Sequence, residues 1–263
     1  MPAQAIEFGK PDTAYESVGA LAVYFETPFG NGPFGFCSGF VISDRAFVTA
    51  AHCLAEFPHL QHVPQAWAVT MEPGSPENPI LPPGVFTELM DFIKFPIDNA
   101  ELMSPTMIHT HPDYDPQTQE NDVAVLEFPA GTFKQSPVKL ARPWFLNRLK
   151  ALRILQRVPI GVVGYGGAGF KADDMGVFGL YIPGHRNRGF TGFSALTRSR
   201  LFLEPTAVLD SRLLSGDSGS PQFILDRAVS LSSVAGVGEQ RLDIPSVRRF
   251  LAPFIWRYGH GID

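Results

Sequence analysis

Cysteine, charge and long apolar runs are all scarce in this chain of 263 residues. Only Cys37 and Cys53 are present, and two cysteines without His partners at ligand spacing do not make a zinc site. Charged residues make up 18% and the formal net charge is -5, with no large basic block. Nucleic-acid binding therefore has no electrostatic footprint. No apolar run reaches the roughly 18 residues that a membrane helix needs. The longest early run, Val18-Gly19-Ala20-Leu21-Ala22-Val23-Tyr24-Phe25, is short, contains Gly and suits a buried strand.

Hydrophobic residues are 44% of the chain, enough for a core of normal size, in one large domain or two small ones. With 25 Gly and 24 Pro, short strands and turns are favoured over long helices. Strand–turn–strand patterns recur: Gly39–Ile42 and Ala46–Thr49 flank Ser43-Asp44-Arg45, and Phe25–Pro33 reads as a hairpin loop around Asn31-Gly32. Residues 72–84 form a proline-rich loop, and Phe86–Phe95 is ambiguous between loop and helix. Further strands are expected at Val123–Phe128, Val138–Leu140, Pro159–Val163, Ser199–Leu203, Gln222–Leu225 and Ser233–Val237, and one helix at Ser246–Tyr258. The expected fold is all-β, two antiparallel six-stranded β-barrels with a C-terminal α-helix. The expected division is 1–135, 136–245 and 246–263. The two cysteines read equally as a bridge closing a loop of about 15 residues, stabilising by about 3 kcal/mol, or as two buried thiols.

Residues 214–221 read LSGDSGSP, an ordinary loop composition. A serine hydroxyl is a weak nucleophile unless a base takes its proton. Thr49-Ala50-Ala51-His52-Cys53 offers a base, since the small neighbours of His52 leave its imidazole room to face a cleft; the alternative is a structural turn histidine. Asn121-Asp122-Val123-Ala124-Val125-Leu126 places Asp122 at the mouth of an apolar strand. There it is either a polar strand cap or a carboxylate that orients a histidine. Asp113 and Asp115 compete for that role from a loop. Gly216 lets the backbone turn so that its N–H, with that of Ser218, forms an anion-binding pair.

In this order, the three stretches resemble the chymotrypsin-like (trypsin-fold) serine peptidases. The resemblance implies Ser218 as nucleophile, His52 as base, Asp122 as its orienter, and the Gly216 and Ser218 amides as the oxyanion hole. Phe36–Ile42 looks like the family strand that carries the partner of the cysteine beside the histidine, which implies a Cys37–Cys53 disulfide. His111-Pro112-Asp113-Tyr114, Gly164-Tyr165-Gly166 and the C-terminal helix are similar to family features, so the likeness spans nearly the whole chain.

Three departures stand out. Ile6-Glu7-Phe8-Gly9 resembles the family's activated amino terminus, with Asp217 as its partner, but Met1–Ala5 precede it, and Ala3-Gln4-Ala5 resembles the end of a signal-peptide cleavage site. Removal of Met1–Ala5 is expected to be needed for full activity. Arg212 stands where the trypsin branch has an aspartate, so trypsin-like cleavage is not expected. Arg212, and Arg248 near the pocket wall, either recognise an acidic group or face solvent around an apolar pocket. Gly236-Val237-Gly238 is expected to pair with the substrate backbone. The second-barrel disulfides of the family are missing.

Three other motifs are set aside. Gly164–Gly169 fits G-x-G-x-x-G, but no helix-forming segment follows it. Asp113–Asp122 lacks the Gly and terminal Glu of a calcium loop, and His109-Thr110-His111 lacks a third zinc ligand. The expectation is a secreted or periplasmic serine endopeptidase acting through an acyl-enzyme, with a catalytically silent binding protein on the same fold as the alternative. It is expected to be a monomer with protein or peptide substrates, without cofactor, metal, nucleic-acid or membrane partners.

Overall fold

Short apolar segments bounded by Gly, Pro and Asp become strands because their backbones can pair while their side chains fill two sheet faces. A computed structural model describes residues 6, 8–27, 30–54, 65–74, 85–86, 103–166, 169–172, 178–181, 185–214, 216–234 and 236–256. The first sheet is antiparallel, in the order Gln65–Thr70, Val18–Thr27, Gly30–Ser43, Ala46–Thr49, Ala124–Glu127, Met107–Thr110. Register shifts at Val23/Tyr24 and Val41/Ser43 curl it. The Phe25–Pro33 hairpin is tighter than expected: the ladder runs on to Thr27↔Gly30, and Pro33 is accommodated beside the register shift, where a missing N–H costs least.

The second unit is a closed ring of Asn187–Leu196, Ile160–Gly164, Pro221–Ile224, Arg227–Leu231, Glu239–Arg241 and Arg200–Glu204, the last pairing back onto the first. The expected pair of barrels is thus one closed six-stranded barrel and one curled half-barrel. In the half-barrel, the isolated bridge Val69–Met103 joins the Gln65–Thr70 edge to the chain leading into Met107–Thr110. A small sheet of Gly169–Ala172, Phe178–Tyr181 and Val85–Phe86 lies apart. Residues 87–95 of the ambiguous segment lie outside the described residues.

Ala46–Thr49, Ile160–Gly164 and Pro221–Ile224 are buried along their whole lengths. These strands are covered on both faces, so they read as continuous apolar runs rather than alternating ones. One core cluster runs from the half-barrel (Val18, Phe40, Val48, Val125) into the second unit (Val163, Phe223, Leu231) and under the C-terminal helix (Val247, Leu251, Phe254). That helix, Pro245–Trp256, buries residues spaced i, i+4 and i+7 and leaves Pro253 exposed.

A second helix, Phe145–Ala151, was not expected from sequence. Its first residues lack a local side-chain cap. Asp243 supplies the acceptor from 97 positions away, taking the Leu146 N–H at 2.9 Å. Among the described residues no helix is long and apolar enough to cross a membrane.

Candidate active site

His52 sits in a single 3-10 turn, Ala51–Leu54, directly after the buried strand Ala46–Thr49. Cys53, beside it, is bonded to Cys37 on the neighbouring strand, so the turn is tied to the sheet from which it emerges. Asp122 precedes Ala124–Glu127, the strand that pairs with Ala46–Thr49. The sheet therefore sets the spacing of the two residues. Asn121 reaches the left-handed region (φ 56) and its amide donates to the Asp113 carbonyl at 3.0 Å, which turns Asp122 inward.

Asp122 is fully buried and grips His52 at two points: one carboxylate oxygen accepts the His52 backbone N–H at 2.8 Å, and the other lies 2.8 Å from Nδ1. The Ser233 hydroxyl donates to the same carboxylate. The Asp122 N–H donates to the Gln240 side chain at 3.1 Å, crossing to the second barrel. Burial pushes the Asp122 carboxyl up, but the hydrogen bonds and charge of His52 and the Ser233 hydroxyl outweigh it, so the group is held below the usual carboxylate range. Of the competitors, Asp113 is exposed, and Asp115 accepts from Gln117 and Thr118 within its own turn. His109 pairs with Glu127 at 3.0 Å, and His111 packs on Phe250, so they are structural rather than a ligand pair.

Ser218 and His52 line one cavity of about 640 Å³, with Arg212, Leu213, Leu214, Ser232, Ser233, Val234, Gly236 and Glu239 among its walls. Among the described residues no hydrogen bond joins Ser218 Oγ to His52 Nε2, whose recorded contact is Cys53 Sγ at 3.8 Å. Such contacts often lengthen without substrate and tighten with it. Neither the Gly216 nor the Ser218 N–H has an acceptor among the described residues, while both carbonyls are bonded, to Ser38. Among the described residues the turn thus offers two donors without an acceptor, of the kind that stabilise an oxyanion.

The Gly164-Tyr165-Gly166 stretch packs against this turn. A Cβ on Gly166 would lie 2.1 Å from the Asp217 nitrogen, and one on Gly164 would lie 2.3 Å from its carboxylate. The glycines serve close approach to the Ser218 loop. Asp217 is fully buried and accepts the Gly166 N–H and the Leu214 N–H, each at 2.9 Å.

A model of the family described as Trypsin matches residues 9–78. The human heparin binding protein has a similar structure, with a TM-score of 0.56 and 12% identity, covering 96% of this chain and 97% of its own. A scabies mite inactivated protease paralogue gives a TM-score of 0.57 at 17% identity, covering 95% and 99%. The chain has the trypsin fold, and its N-terminal part matches the trypsin family. No curated protein matches the chain by sequence.

Three specificity expectations fare differently within this trypsin fold. Arg212 is exposed and lines the cavity. Arg248 lies in the C-terminal helix and is not among the cavity residues. Gly236-Val237-Gly238 is a turn, not a strand: both glycines have positive φ (87° and 79°), and the Val237 N–H donates to Val234 at 3.2 Å. Pairing with a substrate backbone would need extended φ values there, so Ser232–Val234, on the cavity wall, are the better-placed segment. Sequence reasoning missed Glu239, which faces the cavity beside Ser232 and Ser233. Burial pushes its carboxyl up to about 8, against hydrogen bonds from the Ser233 N–H and Ser232. Its signal was an acid directly after Gly236-Val237-Gly238, which sequence alone does not direct anywhere.

Proposed function

We propose that the chain is a serine endopeptidase that hydrolyses peptide bonds in proteins or peptides. The carrying observation is the two-point hold of buried Asp122 on His52, at the edge of a cavity that Ser218 shares. His52 takes the Ser218 proton as Oγ attacks the scissile carbonyl, and the charged imidazole is stabilised by Asp122. The Gly216 and Ser218 amides receive the oxyanion. His52 then protonates the leaving amine, and water attacks the acyl-enzyme by the reverse path. A metal is not required by this scheme. Peptide hydrolysis by the wild type and by Ser218→Ala tests it: kcat should fall by about 10⁶-fold, and activity that survives the change refutes the assignment.

The N-terminal processing proposal rests on Ile6. This residue is buried and its N–H donates to the Gly166 carbonyl at 2.9 Å, beside the buried Asp217. Removal of Met1–Ala5 would turn that amide into an ammonium beside a carboxylate. The disulfide in a trypsin-family chain accords with an extracellular location, and we place the enzyme as secreted or periplasmic.

A catalytically silent binding protein is the second reading. It is favoured by the likeness to an inactivated protease paralogue and by the open Ser218–His52 pair. The retention of His52, Asp122 and Ser218, with Gly216 and Ser218 amides that have no acceptor among the described residues, weighs for the peptidase.

A further inference from the structure

Ser38 is wholly buried between the Gly30–Ser43 strand and the loop that carries Ser218. Its backbone N–H donates to the Ser218 carbonyl at 2.7 Å. Its hydroxyl lies 2.9 Å from the Gly216 carbonyl and 3.0 Å from the Tyr165 nitrogen. Its own carbonyl accepts the Thr49 hydroxyl at 2.8 Å, three residues before His52. A Cβ on Gly219 would lie 2.2 Å from the Ser38 carbonyl oxygen, so the nucleophile loop is pressed directly against this residue.

The direction of the hydroxyl is fixed by its neighbours. The Tyr165 N–H can only donate, so Ser38 Oγ accepts there and must spend its one hydrogen on the Gly216 carbonyl. Gly216 sits at φ 91, a conformation from which glycine leaves at little cost. Peptide planes are rigid, so a carbonyl that is tied back restricts the turn around it. The Gly216 carbonyl lies in the 216–217 peptide and the Ser218 carbonyl in the 218–219 peptide, so Ser38 ties down the two peptide planes that flank the one carrying the Ser218 N–H, whose own Asp217 carbonyl accepts the Ser220 N–H at 2.8 Å.

We propose that Ser38 is a positioning residue for oxyanion stabilisation, holding the Gly216–Ser218 turn with both amides facing the reacting carbonyl. This rests on the peptidase reading above. Ser38 touches no substrate; it acts through Gly216, and neither the nucleophile, the base nor its orienter contacts its hydroxyl.

The test compares wild type, Ser38→Ala and Ser38→Thr in steady-state peptide hydrolysis, with thermal melts as a control for folding. Ser38→Ala should lower kcat about 10- to 100-fold, somewhat less than loss of a whole oxyanion donor, with KM changed less than about twofold. A peptide boronate should lose affinity for Ser38→Ala by the same factor, and Ser38→Thr, which keeps the hydroxyl, should recover most of the loss. Unchanged kcat in Ser38→Ala overturns the proposal. So does a fall in kcat that tracks a lower melting temperature and is not rescued by Thr. A wild type without activity or boronate binding sinks the peptidase reading instead. The positioning claim is then decided by relaxation dispersion at the Gly216 and Ser218 amides. They should be quiet in wild type and exchanging in Ser38→Ala, and equal behaviour in both overturns it.

Discussion

Ile6 and Asp217 meet on the two sides of a single residue: the Gly166 carbonyl accepts the Ile6 N–H, and the Gly166 N–H donates to the Asp217 carboxylate, both at 2.9 Å. Asp217 is fully buried, and burial pushes its carboxyl up to about 7 against the Leu214 and Gly166 N–H groups. Its folded pKa is raised above the ordinary value near 3.9. Its contribution to stability is therefore present below about pH 4 and is lost as pH rises to about 7.

An ammonium at Ile6 reverses that cost, because a nearby positive charge favours the carboxylate. A chain that begins at Ile6 should hydrolyse peptides faster than the full chain. It should also melt higher relative to the full chain at pH 8 than at pH 4. Equal rates together with parallel melting curves across that range would show that Asp217 does not wait for this partner.

Asp122→Asn keeps the size of the side chain but presents an NH₂ or a carbonyl to His52 in place of two acceptors. The His52 backbone N–H and Nδ1 are then not both satisfied, and the wrong tautomer is favoured. A fall in kcat of about 10⁴-fold is expected, from the behaviour of this substitution in comparable triads. A loss below tenfold would leave Asp122 as a strand cap.

Glu239 is expected to make the cavity pH-sensitive. Below about pH 8 its carboxyl is mostly protonated, and it adds no anion to the cavity wall. Above it, the wall gains an anion. Preference for a Lys over a Leu side chain at the cleaved bond should rise about tenfold between pH 6.5 and 9, equivalent to one charge-assisted contact of roughly 1.4 kcal/mol. Glu239→Gln should flatten that profile. A wild-type profile as flat as that of the variant would remove Glu239 from specificity.

Cys37 and Cys53 are 16 residues apart and join the His52 turn to the neighbouring strand. The double Cys→Ala variant should lose about 3 kcal/mol by urea unfolding. It should also lose catalytic rate, because the turn that carries His52 is released. A stable variant with full activity would leave the bond without a role at the site.

Much of this site was legible because its chemistry is local. His52 and Ser218 each sit in a short stretch with small or glycine neighbours, Asp122 stands at the mouth of an apolar strand, and the order of the three stretches carried the family resemblance that joined them. The strands were legible for the same reason, as continuous apolar runs between turn residues. What was not legible depends on distant partners. The Phe145–Ala151 helix is capped by Asp243 from far along the chain, so its start carries no local mark. Gly236-Val237-Gly238 was read as a strand, yet its glycines adopt positive φ, a choice that glycine leaves open in sequence. Glu239 acquired its place only when the ring of strands closed. The curl of the first sheet comes from register shifts that no residue type alone dictates.

The most direct measurement of the central claim is intact mass after treatment with a sulfonyl fluoride. Wild type should gain one adduct, mapped to Ser218 by peptide digestion. Ser218→Ala should gain none, and His52→Ala should gain it far more slowly. A folded wild type that stays unmodified, or is modified at another residue, would contradict the reading of this trypsin-fold chain as a peptidase and leave the silent binding protein in its place.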